Sequence, residues 1–221
     1  MGYKMSNIQE LIAERAAKEL VGPIVVNLGI GIPTLIPTYL EDESVYLHTE
    51  NGMLGVGPTD EENEDPFLVN AGKLPVTETL GSSYFNSADS FAMIRGKHVD
   101  VAILGVLQVD QTGLIANWSV PGKNIIGVGG AMDLLTGAKK VILTMSHTTR
   151  KGEAKILKEC TYPITATRQV DMIITELAVF EFEDGKMYLT ELMPGATLEE
   201  VEEKTEGEFI NRITEKVEET V

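Results

Sequence analysis

Ile24-Val25-Val26-Asn27-Leu28 is a run of strand-forming residues with no polar/apolar alternation. A strand with one wet face would alternate, so this one is expected to be buried on both faces, inside a sheet covered front and back. Val99 to Leu104, Lys140 to Met145 and Met172 to Thr175 read as further short strands. Helical patterns fall between them. Ser6 to Leu20 carries a Ser6/Gln9 capping box, has Ile8, Leu11, Ile12, Ala16 and Leu20 on one face, and stops at Gly22-Pro23. Ser87 to Arg95 reads as a short helix with Phe91 and Ile94 inward and Gly96 as its stop. Another short helix is expected to end near Gly137, one over Lys151 to Glu159, and one from the Thr197/Glu200 capping box to about Lys204. The tail, about 206–221, with Phe209, Ile210, Ile213 and Val217 on one side, reads as an amphipathic terminal helix. Strands alternating with helices predict an α/β fold with a mainly parallel sheet. Antiparallel hairpins are added by Val106–Val109 with Leu114–Trp118, and by Ala178–Glu183 with Lys186–Leu192 across Glu183-Asp184-Gly185. With no internal repeat and no clear linker, 1–221 is expected to be a single domain.

Charge and composition exclude several function classes. The 221 residues carry a net charge of −16, which argues against binding to nucleic acid or to an anionic membrane surface. The start Met1-Gly2-Tyr3-Lys4 lacks the apolar core of a signal peptide, and no run of about 18 apolar residues occurs. A cytoplasmic location is expected. Cys160 is the one cysteine, so a disulfide framework or a cysteine zinc site within the chain is excluded, and a packing role is expected. His48, His98 and His147 share no ligand spacing, and no G-x-S-x-G elbow exists. The acidic stretch from Thr59 to Pro66 is expected to be a solvated face, and no metal is expected.

Glu50 is the acid that stands out. It follows the strand-like run Ser44 to Thr49 and precedes Asn51-Gly52, a tight-turn dipeptide. A carboxylate is thereby placed where a strand stops, the usual location of ligands in open α/β sheets. On pattern alone an acid bonded to its own turn is the commoner reading, with a catalytic group as the alternative. Gly29-Ile30-Gly31-Ile32-Pro33-Thr34 leads from a strand into a helix but lacks the third glycine of the dinucleotide fingerprint. It fits a structural turn and an anion-binding loop equally. Pro37 is expected to keep the following helix short or kinked. Gly127 to Asp133 also fails that fingerprint, although Gly129-Gly130 allows backbone N–H groups close to a ligand oxygen. Asn70-Ala71-Gly72-Lys73 reads as a compact turn carrying a lysine.

LHTENGMLG at Leu47 to Gly55 resembles the glutamate signature of the family I coenzyme A transferases, in their β chain. NLGIGIPT (27–34), NAGK (70–73), SYFNSADSFAMIRGKHVD (83–100), GLIANWSVPGK (113–123), GVGGAMDL (127–134) and the late TRQVDMIITELAVFE region also resemble that family, collinearly from about residue 6 to 200. The 3-oxoacid and acetate/acetoacetate types are the most similar. The resemblance implies a three-layer αβα sandwich shared with some sugar-phosphate isomerases, and CoA as substrate with no tightly bound cofactor. It implies that Glu50 attacks an acyl-CoA and passes through a mixed anhydride and a glutamyl-CoA thioester. Gly130 would donate its backbone N–H to the oxyanion. Asn27, Gly29, Gly31, Asn51, Lys73 and Ala131 would contact CoA or shape its cradle. A homologous α subunit would complete the site, as an α2β2 assembly, with a short-chain or 3-oxo acid such as acetate, butyrate, acetoacetate or succinate as acceptor. An acyl-CoA hydrolase using the same glutamate, a relative acting on a sugar phosphate, and a non-catalytic scaffold are the competing expectations.

Overall fold

The computed structural model describes residues 2–58, 65–70, 72–122 and 127–213. In chain order the elements are α1 (Gly2–Ala17), β1 (Ile24–Leu28), a 3₁₀ helix (Ile32–Tyr39), β2 (Val45–Thr49), β3 (Met53–Val56), β4 (Glu78–Tyr84), α2 (Ser87–Arg95), β5 (Val101–Gly105), β6 (Gln108–Asp110), β7 (Ile115–Ala116), α3 (Ala131–Gly137), β8 (Lys140–Thr144), β9 (Ile156–Leu157), β10 (Met172–Ile174), β11 (Ala178–Glu183), β12 (Lys186–Leu192), α4 (Leu198–Lys204) and β13 (Ile210–Asn211). They gather into two compact units. One holds Ala13–Gly105 and Gly130–Val141, the other Met1–Ile12, Val106–Gly129 and Ile142–Val221. No helix among the described residues is long and apolar enough to cross a membrane. Helix α1 starts earlier than its sequence pattern suggests, so Ser6 lies inside it and is not its cap. No proline precedes Ser6, and the helix runs back to Gly2.

In the first unit the strand order is β5-β1-β2-β3-β4. β1 runs parallel to both neighbours, with Asn27 opposite His48 on one side and Ala102 on the other. Val26 and Asn27 are fully buried, as a central parallel strand requires. β2, β3 and β4 are antiparallel, so antiparallel pairing comes early in the chain as well as late. β4 has no strand-like apolar pattern; its one large aliphatic side chain, Leu80, is fully exposed. Both faces of the parallel strands have helical cover. Side chains alternate along β2, so His48 points one way, toward Ser90 of α2, while Leu47 and Thr49 point toward the 3₁₀ helix. Pro33 sits at the start of that helix and Pro37 lies inside it. In an α-helix the Pro37 ring would clash with the carbonyl four residues back, and the tighter winding results.

α2 and α3 are held together closely. A Cβ added to Gly137 would stand 2.2 Å from the Ile94 carbonyl oxygen, so no larger residue fits there. Arg95 Nε donates to Asp133 Oδ1 at 2.7 Å across the pair. α2 itself spans the residues its sequence predicts, capped by Asn86, whose Oδ1 accepts from the Asp89 N–H at 2.9 Å. Beyond its C-terminus the left-handed residue is Lys97 (φ 62°), while Gly96 has φ −75°.

In the second unit the strand order is β13-β12-β11-β10-β8, beside a small sheet β7-β6-β9. The β11–β12 turn places Asp184 and Gly185 at φ 50° and 74°, the double positive φ of a type I′ hairpin. One helix expectation fails here, and the expected tail helix does not cover 206–212. Lys151 to Glu159 is no helix. Thr149 and Glu153 exchange a turn hydrogen bond around Gly152, and Ile156-Leu157 then pair parallel to β6. Two adjacent apolar residues make no helical face, whereas the β6 edge buries both. In the tail, Ile210–Asn211 form a strand beside β12 and Phe209 packs edge-on against Phe180. Pairing with a sheet edge outcompetes the weak helical periodicity there. Residues 214–221, including Val217, lie outside the described residues. Cys160 is half-buried, and burial first, then Asp110 and Glu159, pushes its thiol up to about 12; it packs and does not react.

His147 is fully buried between the hydroxyls of Thr175 (3.0 Å) and Thr205 (2.9 Å). Burial, with the Lys204 charge adding, pushes it down to about 4 from 6.5. The unfolded chain therefore takes up this proton first as pH falls. The stability that His147 contributes is complete above pH 6.5 and is lost between 6.5 and 4, by about 2 kcal/mol at pH 5. Urea unfolding at pH 7.5 and pH 5 should show a smaller pH difference in His147→Gln than in the parent. Equal differences would mean that His147 does not resist protonation.

Candidate active site

Glu50 lies in the three-residue loop between β2 and β3, at the end of the parallel strands where Gly29 also stands. The turn closes with Gly52 N–H donating to Thr49 O at 3.1 Å, and the Gly52 carbonyl accepts from Phe85 N–H at 3.0 Å. Gly52 has φ 120°, and a Cβ there would lie 2.0 Å from the Phe85 oxygen. Only glycine meets both demands. Asn51 donates from Nδ2 to Val69 O at 3.0 Å and so ties the turn to the segment that carries Asn70.

Two side chains from other elements set the carboxylate. Asn27, fully buried on β1, donates from Nδ2 to Glu50 Oε2 at 3.0 Å. The same nitrogen lies 3.1 Å from His48 Nδ1 and 3.2 Å from His48 O. Asn27 thus meets the glutamate directly. Gly130, the residue before α3, is brought from 80 positions away in sequence. A Cβ built on it would lie 3.4 Å from Glu50 Cγ, 3.5 Å from Oε1 and 3.4 Å from Phe91 Cζ. Its C=O accepts from Leu134, and its N–H has no acceptor among the described residues.

The remaining expected residues form an outer set. Ala131 is the first residue of α3, next to Gly130. Gly29 donates to Ile103 O at 2.8 Å, and a Cβ on it would lie 3.1 Å from that oxygen, so close packing on β5 already explains this glycine. Gly31 has φ 92° at the N-terminus of the 3₁₀ helix. Lys73, at φ 60°, closes the Asn70 turn through its N–H to Asn70 O at 2.9 Å, and its side chain is exposed. Gly29, Gly31 and Lys73 show no direct contact with Glu50.

Sequence reasoning missed His48 and Ser90. His48 Nε2 is 3.1 Å from Ser90 Oγ, Ser90 Oγ donates to Thr49 O at 3.3 Å, and the ring stacks on Phe85 with 5.9 Å between centroids. Burial lowers the imidazole pKa, and the neighbouring Glu50 charge opposes that. Beside β2 lies a cavity of about 220 Å³, walled in part by Leu28, Thr34, Pro37, Leu47, His48 and Thr49. Thr49 Oγ1 is buried beside it with no partner among the described residues. No cluster of three or more His, Cys, Asp or Glu suited to a metal occurs among the described residues; the acidic residues 59–64 lie outside them.

The sequence profile of the family described as Coenzyme A transferase matches residues 9–204. The chain belongs to the coenzyme A transferases. Among similar members, the β chain of the acetate CoA-transferase of Haemophilus influenzae is 53% identical over 92% of this chain and 92% of its own length. One chain of a probable succinyl-CoA:3-ketoacid coenzyme A transferase of Bacillus subtilis is 50% identical over 93% and 96%. Among solved structures, an acyl-CoA transferase (YdiF) from Escherichia coli O157:H7 aligns with TM-score 0.75 at 23% identity over 93% of this transferase chain, which spans 42% of the length of that one. The decarboxylase AibA/AibB aligns with TM-score 0.71 at 20% identity, over 93% of this chain and 86% of that one. At such identities the likeness shows the fold alone.

The turn geometry yields a stability prediction. Gly52→Ala should cost about 2–4 kcal/mol, because it demands both a left-handed φ and room inside the Phe85 carbonyl. Urea unfolding measures this; a loss below about 0.5 kcal/mol would mean that the turn adapts.

Proposed function

We propose that the chain is the β subunit of a CoA-transferase, one domain that moves CoA from an acyl-CoA to a short-chain or 3-oxo carboxylate, with Glu50 as nucleophile. The observation that carries this is the pairing of a half-buried carboxylate with Asn27 on one oxygen and Gly130 against the other. Asn27 fixes Oε2, so Oε1, on the Gly130 side, is left to attack. Oε1 adds to the thioester carbonyl, the C–S bond breaks, and CoA leaves as thiolate with a mixed anhydride behind it. The thiolate then adds to the glutamyl carbonyl and the first acid leaves as carboxylate. The resulting glutamyl-CoA reacts with a second carboxylate by the same two steps reversed. Thioester and anhydride carry similar energy, so no external source is needed. Each addition creates an oxyanion, for which the Gly130 N–H, without an acceptor among the described residues, would be the donor on this chain.

An α subunit would supply the second donor and the rest of the acid pocket, in an α2β2 assembly in the cytoplasm. The names of the similar proteins, acetate and 3-ketoacid transferases, support small acids as substrates. Lys73 would meet the anionic cofactor portion of CoA, which a chain of net charge −16 otherwise repels.

The test is direct. Co-expressed with its α subunit and given acyl-CoA alone, the enzyme should show a CoA adduct on the Glu50 peptide by mass spectrometry. Free acid and CoA accumulating without an adduct would instead indicate hydrolysis. Glu50→Ala should lose transfer by about a thousandfold or more while still assembling with the α subunit. Parent-like activity in that variant would refute the nucleophile. Gly130→Ala has ordinary contacts and an unstrained φ of −80°, so it should fold normally. Its methyl would crowd the attacking carboxylate, and kcat should fall about a hundredfold. An unchanged kcat would remove Gly130 from the site.

A further inference from the structure

The atoms around His48 admit one arrangement of protons. Asn27 Nδ2 faces two fixed acceptors, Glu50 Oε2 and His48 O, and lies 3.1 Å from His48 Nδ1, while Asn27 Oδ1 is buried with no donor among the described residues. Flipping the amide would turn an oxygen toward the two acceptors, so the nitrogen is the end that faces them, and a proton on Nδ1 would point at that N–H donor. His48 Nδ1 must then accept, and the ring proton lies on Nε2, where Ser90 Oγ takes it at 3.1 Å. Ser90 passes its own proton to Thr49 O. The donations therefore run outward from Asn27, to the glutamate on one side and through His48 and Ser90 to Thr49 O on the other.

Resting on the reading of Glu50 as nucleophile, we propose that His48 is a positioning residue, which in its neutral Nε2–H form holds the Asn27 amide on Glu50 and, once protonated, releases it. A second proton on the ring must go to Nδ1, which would confront the Asn27 N–H with another donor. The amide would have to rotate, bringing Oδ1 toward the ring and withdrawing the N–H from Glu50 Oε2. Asn27 from β1, Ser90 from α2 and Phe85 before it face the ring uncharged, and Glu50 is the charged group acting on it. Burial keeps the neutral form dominant at pH 7. Transfer should thus fail on the acid side when the imidazole titrates.

The test uses the assembled α/β enzyme, with kcat and KM measured from pH 5 to 8. In the parent, kcat should fall with one proton at a midpoint below 6.5. His48→Ala should lower kcat about ten- to a hundredfold with little change in KM for acyl-CoA, because the carboxylate is misplaced and binding is untouched. His48→Asn puts a carbonyl oxygen near the Nδ1 position and cannot titrate in this range. It should recover most of the lost kcat and remove the acid limb. His48→Gln reaches Ser90 but offers Asn27 nothing at Nδ1, and should resemble the alanine variant. An acid limb unchanged in His48→Asn, or His48→Asn as impaired as His48→Ala, would overturn the proposal. Should the variants fold poorly, ¹⁵N shifts of the parent's imidazoles at pH 7 still decide: an Nδ1–H tautomer at His48 would overturn it. The glutamyl-CoA adduct in the parent separates the two levels. If the adduct is absent, the nucleophile reading fails; if it forms while the pH profile ignores His48, only this inference fails.

Discussion

The parallel pairing of β1 with β2, which sets Asn27 opposite His48, is the constraint on which the site depends. A one-residue slip would turn Asn27 to the other face of the sheet and put an aliphatic side chain beside the glutamate. The register holds because both strands are buried, and a slip would also expose or misplace Val26 and Leu47. A core-packing requirement thereby specifies a hydrogen bond to the Glu50 carboxylate. The cost of burying an asparagine is offset by the acceptors around its amide nitrogen, Glu50 Oε2 and His48 O among them, although its oxygen has no such compensation among the described residues.

Around this pairing the turn and the helices supply direction. Gly52 must approach Phe85, and that approach fixes where the β2–β3 loop can go. Phe85 then lies against the His48 ring, and Asn86 starts the helix that brings Ser90 to its other nitrogen. The hydrogen bonds of the site are continuous with the turn and helix cap, so the carboxylate has little freedom to leave its place. Preorganisation of this kind, with the donor fixed before charge develops, is where enzymes gain most of their electrostatic stabilisation.

Much of this was legible in the sequence where the signal is local. The β1 run, the α2 limits, the β11–β12 hairpin and the Thr197 cap depend on neighbours within a few residues, and they came out as read. The Lys151–Glu159 segment and the Ile210–Asn211 stretch did not, because both are settled by a sheet edge far away in sequence. Glu50 and Gly130 were identified through family motifs; nothing in their spacing predicts the contact. His48 was dismissed because it lacks ligand spacing, yet its partners are Asn27 and Ser90, 21 and 42 residues away, which only the fold unites. The usable hint was its position two residues before Glu50, on the strand face opposite to Leu47 and Thr49.

The contact between Gly137 and Ile94 has a mechanical side. α3 has seven residues and is about 10 Å long, clamped against α2 at one end and presenting Gly130 at the other. It acts as a short lever. A tilt of about 6° at the clamped end would swing Gly130 by about 1 Å, enough to cost a reaction about a hundredfold. A substitution at Gly137, some distance from the carboxylate, would therefore displace Gly130 as well as weaken the packing of α3 on α2.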